Sequence, residues 1–466
     1  IPNKKRPKTA FFGYFGGIVI KSLHVGFKRI KPTQILVFSF AFLIIVGTIL
    51  LNLPASSKTG ESIGLLNALF TATSAVCVTG LTVVDTHTKF SIFGKLVILI
   101  LIQIGGLGIM TMATFIFLIF GKKITLRDRL VMQEALNQFT LSGLVKLTRQ
   151  ILIIALIFEA CGAFVFFLRF TRYYDITSSL YYGLFHSISA FNNSGFHVVA
   201  GSKGLSQFVQ DPIINIATMV LNECGGLGFT VIYDILSTRN FRRLSLHSKV
   251  VITMTLILML TGCIFFYALE RDNPKTLGSL TPEGKVIAAA FHSVTTRTSG
   301  FSTLNLEDLT TPAKYISLLL MFIGASPAST GGGIKTSTFA LIIVLIYTVI
   351  ASKEHVEIYK RRIPMDNIFK AVFIVIVSIL LVFTSSFVLT ITEQADFLTI
   401  LFETIAAFST VGLSLGITPG LTDFGKIVII LTMFVGKLGP LTLAMAFSTR
   451  TKKSLVKFPE ERILVG

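Results

Sequence analysis

Val78-Thr79-Gly80-Leu81, Asn193-Ser194-Gly195-Phe196, Thr298-Ser299-Gly300-Phe301 and Thr410-Val411-Gly412-Leu413 are four versions of one phrase. Their glycines lie 115, 105 and 112 residues apart. Each phrase follows a short apolar run and precedes a long one. A phrase that recurs four times at a near-constant period marks one unit used four times. Each unit delivers a compact, polar, glycine-containing segment, which leads to the expectation of four segments meeting around one axis.

The surrounding composition puts that axis in a membrane. The chain has 466 residues, 52% of them hydrophobic and only 14% charged, against about 25% charged in a soluble domain. Tryptophan is absent, so Tyr and the 42 Phe must supply any aromatic belt. Eight spans are expected at 34–53, 93–120, 147–168, 213–237, 250–269, 314–349 (interrupted), 368–391 and 425–447, each near the 20 or so residues that cross a bilayer. Of the 42 Lys and Arg residues, 28 fall in the alternate segments 1–31, 121–149, 239–249, 351–370 and 450–462. That side is cytoplasmic by the positive-inside rule, which places both termini in the cytoplasm of a multi-pass plasma-membrane protein. The net charge of +19 therefore reads as membrane topology and not as a nucleic-acid surface. The four cysteines, Cys77, Cys161, Cys224 and Cys263, have no metal-ligand spacing and read as small apolar filler.

Each unit runs span, short helix, phrase, span, giving an all-α protein of four pseudo-symmetric repeats around a central pore. The expected division is a basic segment 1–31, repeat one 32–121, repeat two with its preceding loop 122–245, repeat three 246–352, repeat four 353–449 and a tail 450–466. The short helices Leu65–Ala75, Leu180–Ala190, Val286–Thr295 and Phe397–Ala407 are too short to cross and suit a dip into the membrane and return. Phe70, Phe185 and Phe402 precede their glycines by ten residues, whereas Phe291 precedes Gly300 by nine.

Glycine accepts a left-handed backbone without a Cβ clash, so the phrases Val78-Thr79-Gly80, Asn193-Ser194-Gly195, Thr298-Ser299-Gly300 and Thr410-Val411-Gly412 are the candidate ion site. Their carbonyls, with neutral hydroxyl oxygens, would replace the water around a cation. No carboxylate is present in the phrases, which favours a weakly hydrated monovalent ion over a divalent one. A second glycine cluster follows each phrase: Gly105-Gly106-Leu107-Gly108, Gly225-Gly226-Leu227-Gly228, Gly331-Gly332-Gly333 and Gly436-Lys437-Leu438-Gly439-Pro440. In the first two units it reads as close helix packing, compatible with a bend.

The third unit differs. Gly324-Ala325-Ser326-Pro327-Ala328-Ser329-Thr330-Gly331-Gly332-Gly333 breaks an otherwise apolar span with polar residues, Pro and Gly. Irregular backbone at this depth lines a cavity, so 324–334 reads as a loop that obstructs the pathway. Lys335 follows and is expected to snorkel toward the cytoplasm. Lys437, inside the last span, would raise an electrostatic barrier to cations. Glu159 and Glu223 are intramembrane carboxylates; either could pair with a basic group, and the sequence does not show which. His186 and His292 read as packing or hydrogen-bonding residues. Glu403 either concentrates cations at the outer mouth or is simply solvated.

On the four phrases, the break at Ala325–Gly333 and Gly436-Lys437-Leu438-Gly439-Pro440, the chain resembles the Trk/Ktr/HKT superfamily of potassium transporters, most closely its bacterial Ktr-type membrane subunits. The resemblance covers about Gln34 to Gly466. It implies one pore per subunit, a selectivity filter at the four phrases, a gate at the third-unit loop and a basic residue near the pore at 437, where relatives usually carry Arg. In plant relatives, Ser in place of the first filter glycine accompanies sodium selectivity; Gly80 implies potassium. The resemblance also implies a homodimer seated on a cytoplasmic, KtrA-like ring of nucleotide-binding subunits, with Na+ as an activating or coupled ion. Ile463–Gly466 would serve as a dimer contact. The chain itself has no strand–GxGxxG–helix fingerprint, so nucleotide sensing belongs to that partner, and no organic cofactor is expected here. A strictly coupled secondary symporter usually shows inverted repeats, whereas these share one orientation. A polytopic enzyme would need a cluster of catalytic groups that the sequence lacks.

Overall fold

The computed structural model describes residues 31–119, 124–136, 143–199, 205–447, 459 and 461. The basic segment before Lys31 and the apolar tail Ile463–Gly466 lie outside the described residues. The helices, in chain order, are α1 (Pro32–Asn52), α2 (Leu65–Val76), α3 (Ile92–Leu107), α4 (Ile109–Ile119), α5 (Leu126–Ala135), α6 (Leu144–Phe170), α7 (Ile176–Phe191), α8 (Pro212–Gly226) and α9 (Phe229–Thr238). They continue with α10 (Leu246–Glu270), α11 (Pro282–Thr298), α12 (Thr311–Phe322), α13 (Thr336–Ile350), α14 (Met365–Thr392), α15 (Phe397–Phe408), α16 (Asp423–Leu438) and α17 (Pro440–Phe447). One small hairpin, β1 (Glu357–Ile358) and β2 (Arg361–Arg362), joins α13 to α14.

Four helices, α1, α6, α10 and α14, are each long and apolar enough to cross a membrane, and up to seven spans result if each bent helix pair counts as one. The chain is a multi-pass membrane protein. The long helices bury narrow seams. On α10 the buried residues are Ser248, Val251, Thr255, Leu258, Gly262, Phe266 and Glu270, a helical three-or-four spacing, while Leu260, Ile264 and Phe265 face outward.

Each long helix packs on the short helix that follows it: α1 on α2, α6 on α7, α10 on α11 and α14 on α15. Each later helix then packs on the short helix of the next stretch of chain. Thus α3 meets α7, α8 meets α11, α12 meets α15, and α16 returns to α2. The contacts close a circle with the four short helices inside. Three of these start at side-chain caps, Asp175 to the Ser178 N–H, Thr281 to the Gly284 N–H and Asp396 to the Leu398 N–H. The first starts at Gly64 without one.

The expected spans at 93–120, 213–237 and 425–447 are each sharply bent. α3 and α4 meet at 100°, α8 and α9 at 97°, and α16 and α17 at 90°. The last glycine of each cluster makes the corner: Gly108, Gly228 and Gly439 have φ of +87°, +91° and +82°, a conformation that ends the helical ladder and favours glycine. The first glycine of each cluster has a different task. A Cβ on Gly105, Gly225 or Gly436 would overlap the carbonyl oxygen of Val76, Phe191 or Phe408, the last residue of α2, α7 or α15. Close packing and bending are therefore both present, divided between glycines of one cluster. In the third stretch the corner is replaced by the whole segment 323–335 between α12 and α13, closed by a parallel bridge from Ile323 to Ile334.

Replacing Gly225 with Ala should push α8 off the end of α7. Overpacking of this kind costs about 1–3 kcal/mol, so thermal unfolding of the purified protein in detergent should show a lowered midpoint for Gly225→Ala.

Candidate functional site: a closed ring of glycine strands

The four phrases meet. A Cβ built on Gly80 would overlap the Ser194 carbonyl oxygen, and one on Gly195 would lie 2.7 Å from the Ser299 oxygen. A Cβ on Gly300 would overlap the Val411 oxygen, and one on Gly412 the Thr79 oxygen. Each glycine faces the carbonyl just before the next glycine, and the sequence of neighbours returns to its start. All four glycines have positive φ, from +70° to +89°, so an L side chain would meet both strain and overlap.

Three of the strands are launched in the same way. The N–H groups of Val78 and Thr79 donate back to Ala75 and Ser74, those of Asn193 and Ser194 to Ala190 and Ser189, and those of Thr410 and Val411 to Ala407 and Ala406. This is the Schellman pattern, which needs a left-handed residue just past the helix. Glycine usually fills that place. Here Val78, Asn193 and Thr410 do, with φ of +57°, +56° and +51°. A β-branched residue in this region stores strain of order 1–3 kcal/mol and persists only where surrounding structure enforces it. The third strand is launched differently: α11 runs on to Thr298, Ser299 donates to Thr295 with φ of −106°, and no left-handed residue intervenes. The one-residue shortening between Phe291 and Gly300 is absorbed by losing that turn.

The short helices end at the ring, so the partial negative charge of four C-termini is directed at it. The buried hydroxyls of Thr79, Ser194 and Ser299 have no hydrogen-bond partner in the protein. An unmet buried hydroxyl is costly, and a neutral oxygen set without carboxylates suits a weakly hydrated monovalent cation as cargo.

The 323–335 segment lies directly against this ring. The Gly332 N–H donates to Thr410 Oγ1 at 2.9 Å, and Asn193 Nδ2 donates to Thr330 Oγ1 at 2.8 Å. A Cβ on Gly331 would come within 3.0 Å of Thr298 Cγ2. Three strands are thus touched at their αL or last helical residue. From the other side, the Ser326 and Thr330 N–H groups donate to the Gly226 and Gly225 carbonyls at the α8 corner, and Phe229 N–H donates to Ala328. Ser326 and Thr336 share a hydroxyl bond, and Ser329 donates to the Ser326 carbonyl. Gly324 is fixed by near-contact with the Gly332 carbonyl, Gly333 by φ of +71° against Ser409, and the Pro327 carbonyl abuts Gly228.

Both lysines point into the segment. Lys437 Nζ donates to the Thr330 carbonyl at 2.5 Å, and Lys335 Nζ donates to the Gly331 carbonyl at 2.6 Å. Lys335 is half-buried, with its ammonium on that loop carbonyl. Glu159 has no cationic partner among the described ion pairs. Its carboxylate instead accepts from Gln103 at 2.9 and 3.0 Å and from Asn192 at 3.2 Å. Glu223 does have one, Arg297 Nη1 at 2.9 Å. Glu403 is neither solvated nor at an open mouth: it is buried on α15 and accepts from the Thr418 hydroxyl. His186 stacks on Phe301, and His292 bonds Ser317 against Phe266. The cysteines are free. Arg297, Asn192 and Gln103 were missed by sequence reading. Arg297 had a signal, as a charge inside a short apolar helix; the two amides had none.

Residues 18–456 match the family described as "TrkH: Cation transport protein". The chain is 43% identical to the Ktr system potassium uptake protein B of Bacillus subtilis (strain 168), covering 94% of this chain and 97% of the relative. It is 42% identical to the protein of the same name from Vibrio alginolyticus, covering 93% and 94%. It is 35% identical to the Potassium/sodium uptake protein NtpJ of Enterococcus hirae, covering 94% and 98%. Among solved structures, the crystal structure of the potassium transporter TrkH from Vibrio parahaemolyticus superposes with a TM-score of 0.71 at 18% identity, covering 91% of this chain and 86% of that one; the two share the fold.

The Gly332–Thr410 bond yields a direct check. A net hydrogen bond is worth about 1 kcal/mol, or roughly fivefold in an opening equilibrium. Amide exchange at Gly332 should therefore quicken by about that factor in Thr410→Val, while exchange in α6 stays unchanged.

Proposed function

The chain belongs to the TrkH family of cation transport proteins, and from that premise we propose that potassium is selected at the ring of Gly80, Gly195, Gly300 and Gly412. It is a potassium uptake transporter of Ktr/Trk type and not an enzyme. The observation that carries the reading of the site is the closed circle of glycine-to-carbonyl approaches. Four strands so close leave no room for side chains between them, and the groups that remain to meet an ion are backbone carbonyls and neutral hydroxyls. Such oxygens replace the hydration shell of a weakly hydrated cation without binding it so tightly that it stays. The helix circle supports four pseudo-symmetric units and eight spans around one pore, each bent second helix counting as one span and the α12–α13 pair as the interrupted one.

The segment 324–334 is the gate. Its support is its place, hydrogen-bonded to strands two and four on one side and to the α8 corner on the other. Lys437 and Lys335 lock it and add positive charge on the pathway below the ring, which opposes cation passage while the loop is in place. Moving the loop breaks a finite set of bonds, each of modest net strength, so a partner bound at the cytoplasmic face has enough leverage to open it. The relatives named as parts of a Ktr system support such a partner. We assign it as a KtrA-like nucleotide-binding ring beneath a homodimer, with both termini cytoplasmic. A relative named for potassium and sodium supports Na+ as an activating or coupled ion.

Reconstituted into proteoliposomes, the protein should take up rubidium as a potassium tracer down an imposed gradient, and unlabelled potassium should compete far better than sodium. Equal competition by the two ions contradicts the selective ring. Removing residues 325–333 should raise the uptake rate in a protein that still runs as a monodisperse species; unchanged or reduced uptake contradicts the gate. In Gly80→Ser the new side chain meets the Ser194 carbonyl at φ of +89°. Potassium-over-sodium discrimination should fall roughly tenfold, the effect of about 1.4 kcal/mol at one ion site.

A further inference from the structure

We propose that Arg297 and Glu223 form a positioning strut that holds the third strand of the ring and so sets discrimination among monovalent cations; this rests on the reading of the ring as the selective site. Arg297 is on the last turn of α11, three residues before Gly300. Its side chain is 2% exposed, and Nη1 donates to Glu223 Oε1 at 2.9 Å. Of the five ion pairs among the described residues, no other has its cation so deeply buried.

Strand three is the strand that needs such a device. Strands one, two and four each leave their helix through two backbone bonds and a left-handed residue, which fix the angle of departure. Strand three has neither the second bond nor the left-handed residue. Arg297 stands within that departing turn. A guanidinium at a helix C-terminus also complements the local partial negative charge. Beside a cation site, however, an unpaired buried guanidinium would repel the cargo, and Glu223 neutralises it. The anchoring end is itself fixed. Glu223 belongs to the last turn of α8, where its carbonyl accepts from Leu227, and Gly225 at the same turn packs on the Phe191 carbonyl at the end of α7. Strand three is thereby referenced to the helix that supports strand two. Neither member of the pair lies in the ring or the gate.

The test compares variants with the wild type in the same rubidium-uptake assay, with sodium and potassium as competitors. Glu223→Gln keeps an acceptor oxygen but leaves the guanidinium without its counter-charge. The double variant Arg297→Met with Glu223→Met removes strut and charges together while filling the space, an exchange that buried pairs commonly tolerate without loss of folding. Both should lose about tenfold in potassium-over-sodium discrimination, the scale of one charge-assisted hydrogen bond; the double variant should keep maximal uptake within about twofold of wild type, whereas Glu223→Gln, which leaves the positive charge uncompensated, should also lose uptake. Asp211→Asn, which removes the charge pairing of Arg169 with Asp211 at the opposite, N-terminal end of α8, should leave discrimination unchanged. Wild-type discrimination in the folded double variant, or an equal loss in Asp211→Asn, overturns the strut. Failure of the wild type itself to prefer potassium is a different result and overturns the ring.

Discussion

The rest of the molecule depends on backbone meeting backbone at the centre. Four glycines approach four carbonyls more closely than any side chain allows, and each carries a φ that a side chain would resist. Everything outside that circle can be understood as what is required to hold it. The short helices bring the strands in, the long helices and bent partners close around the short helices, and Gly105, Gly225 and Gly436 let the three bent partners touch the short-helix ends directly. In a bilayer, unpaired backbone is costly. The irregular strands survive there because helices pack around them and because each donates back into the helix it leaves.

The four strands are equivalent in place but not in construction. Three use a strained left-handed residue at the helix end, and the third does not. The same third stretch lacks a simple bent helix and carries the 323–335 segment instead. These two departures sit together: the segment bonds to Asn193 and Thr410, the left-handed residues of strands two and four, and packs on Thr298 of strand three. Two of the three left-handed residues, Asn193 and Thr410, are thus held by hydrogen bonds from outside their own strands, the kind of surrounding support that such backbone needs.

Much of this was legible in the sequence, and the reasons are physical. The four phrases and their spacing located every strand of the ring, because glycine is nearly obligatory at positive φ with backbone at such close range. The one-residue shortening before Gly300 was visible in the sequence, but its consequence, the lost cap turn, was not, because the spacing does not say where the residue is taken out. The polar break at Gly324–Gly333 stood out because such residues are rare inside a span. The bends at Gly108, Gly228 and Gly439 were not predicted as corners, because a glycine cluster reads equally as close packing, and hydropathy continues unbroken across the corner. The partners of Glu159 and Glu223 were open in the sequence, since a pattern of residues does not say which side chains converge; Glu159 meets two amides and Glu223 meets Arg297. Glu403 was placed near solvent from its position on a short helix, whereas the 414–418 turn folds over it.

Backbone oxygens of the four strands are proposed to bind the transported ion. Diffraction from crystals of the protein grown in thallium, a strongly scattering monovalent stand-in for potassium, tests it most directly. Anomalous density on the axis enclosed by residues 79–80, 194–195, 299–300 and 411–412, displaced by excess potassium and not by sodium, is the predicted result. Density confined to the carboxylates Glu159, Glu223 or Glu403, with none inside the ring, would contradict it.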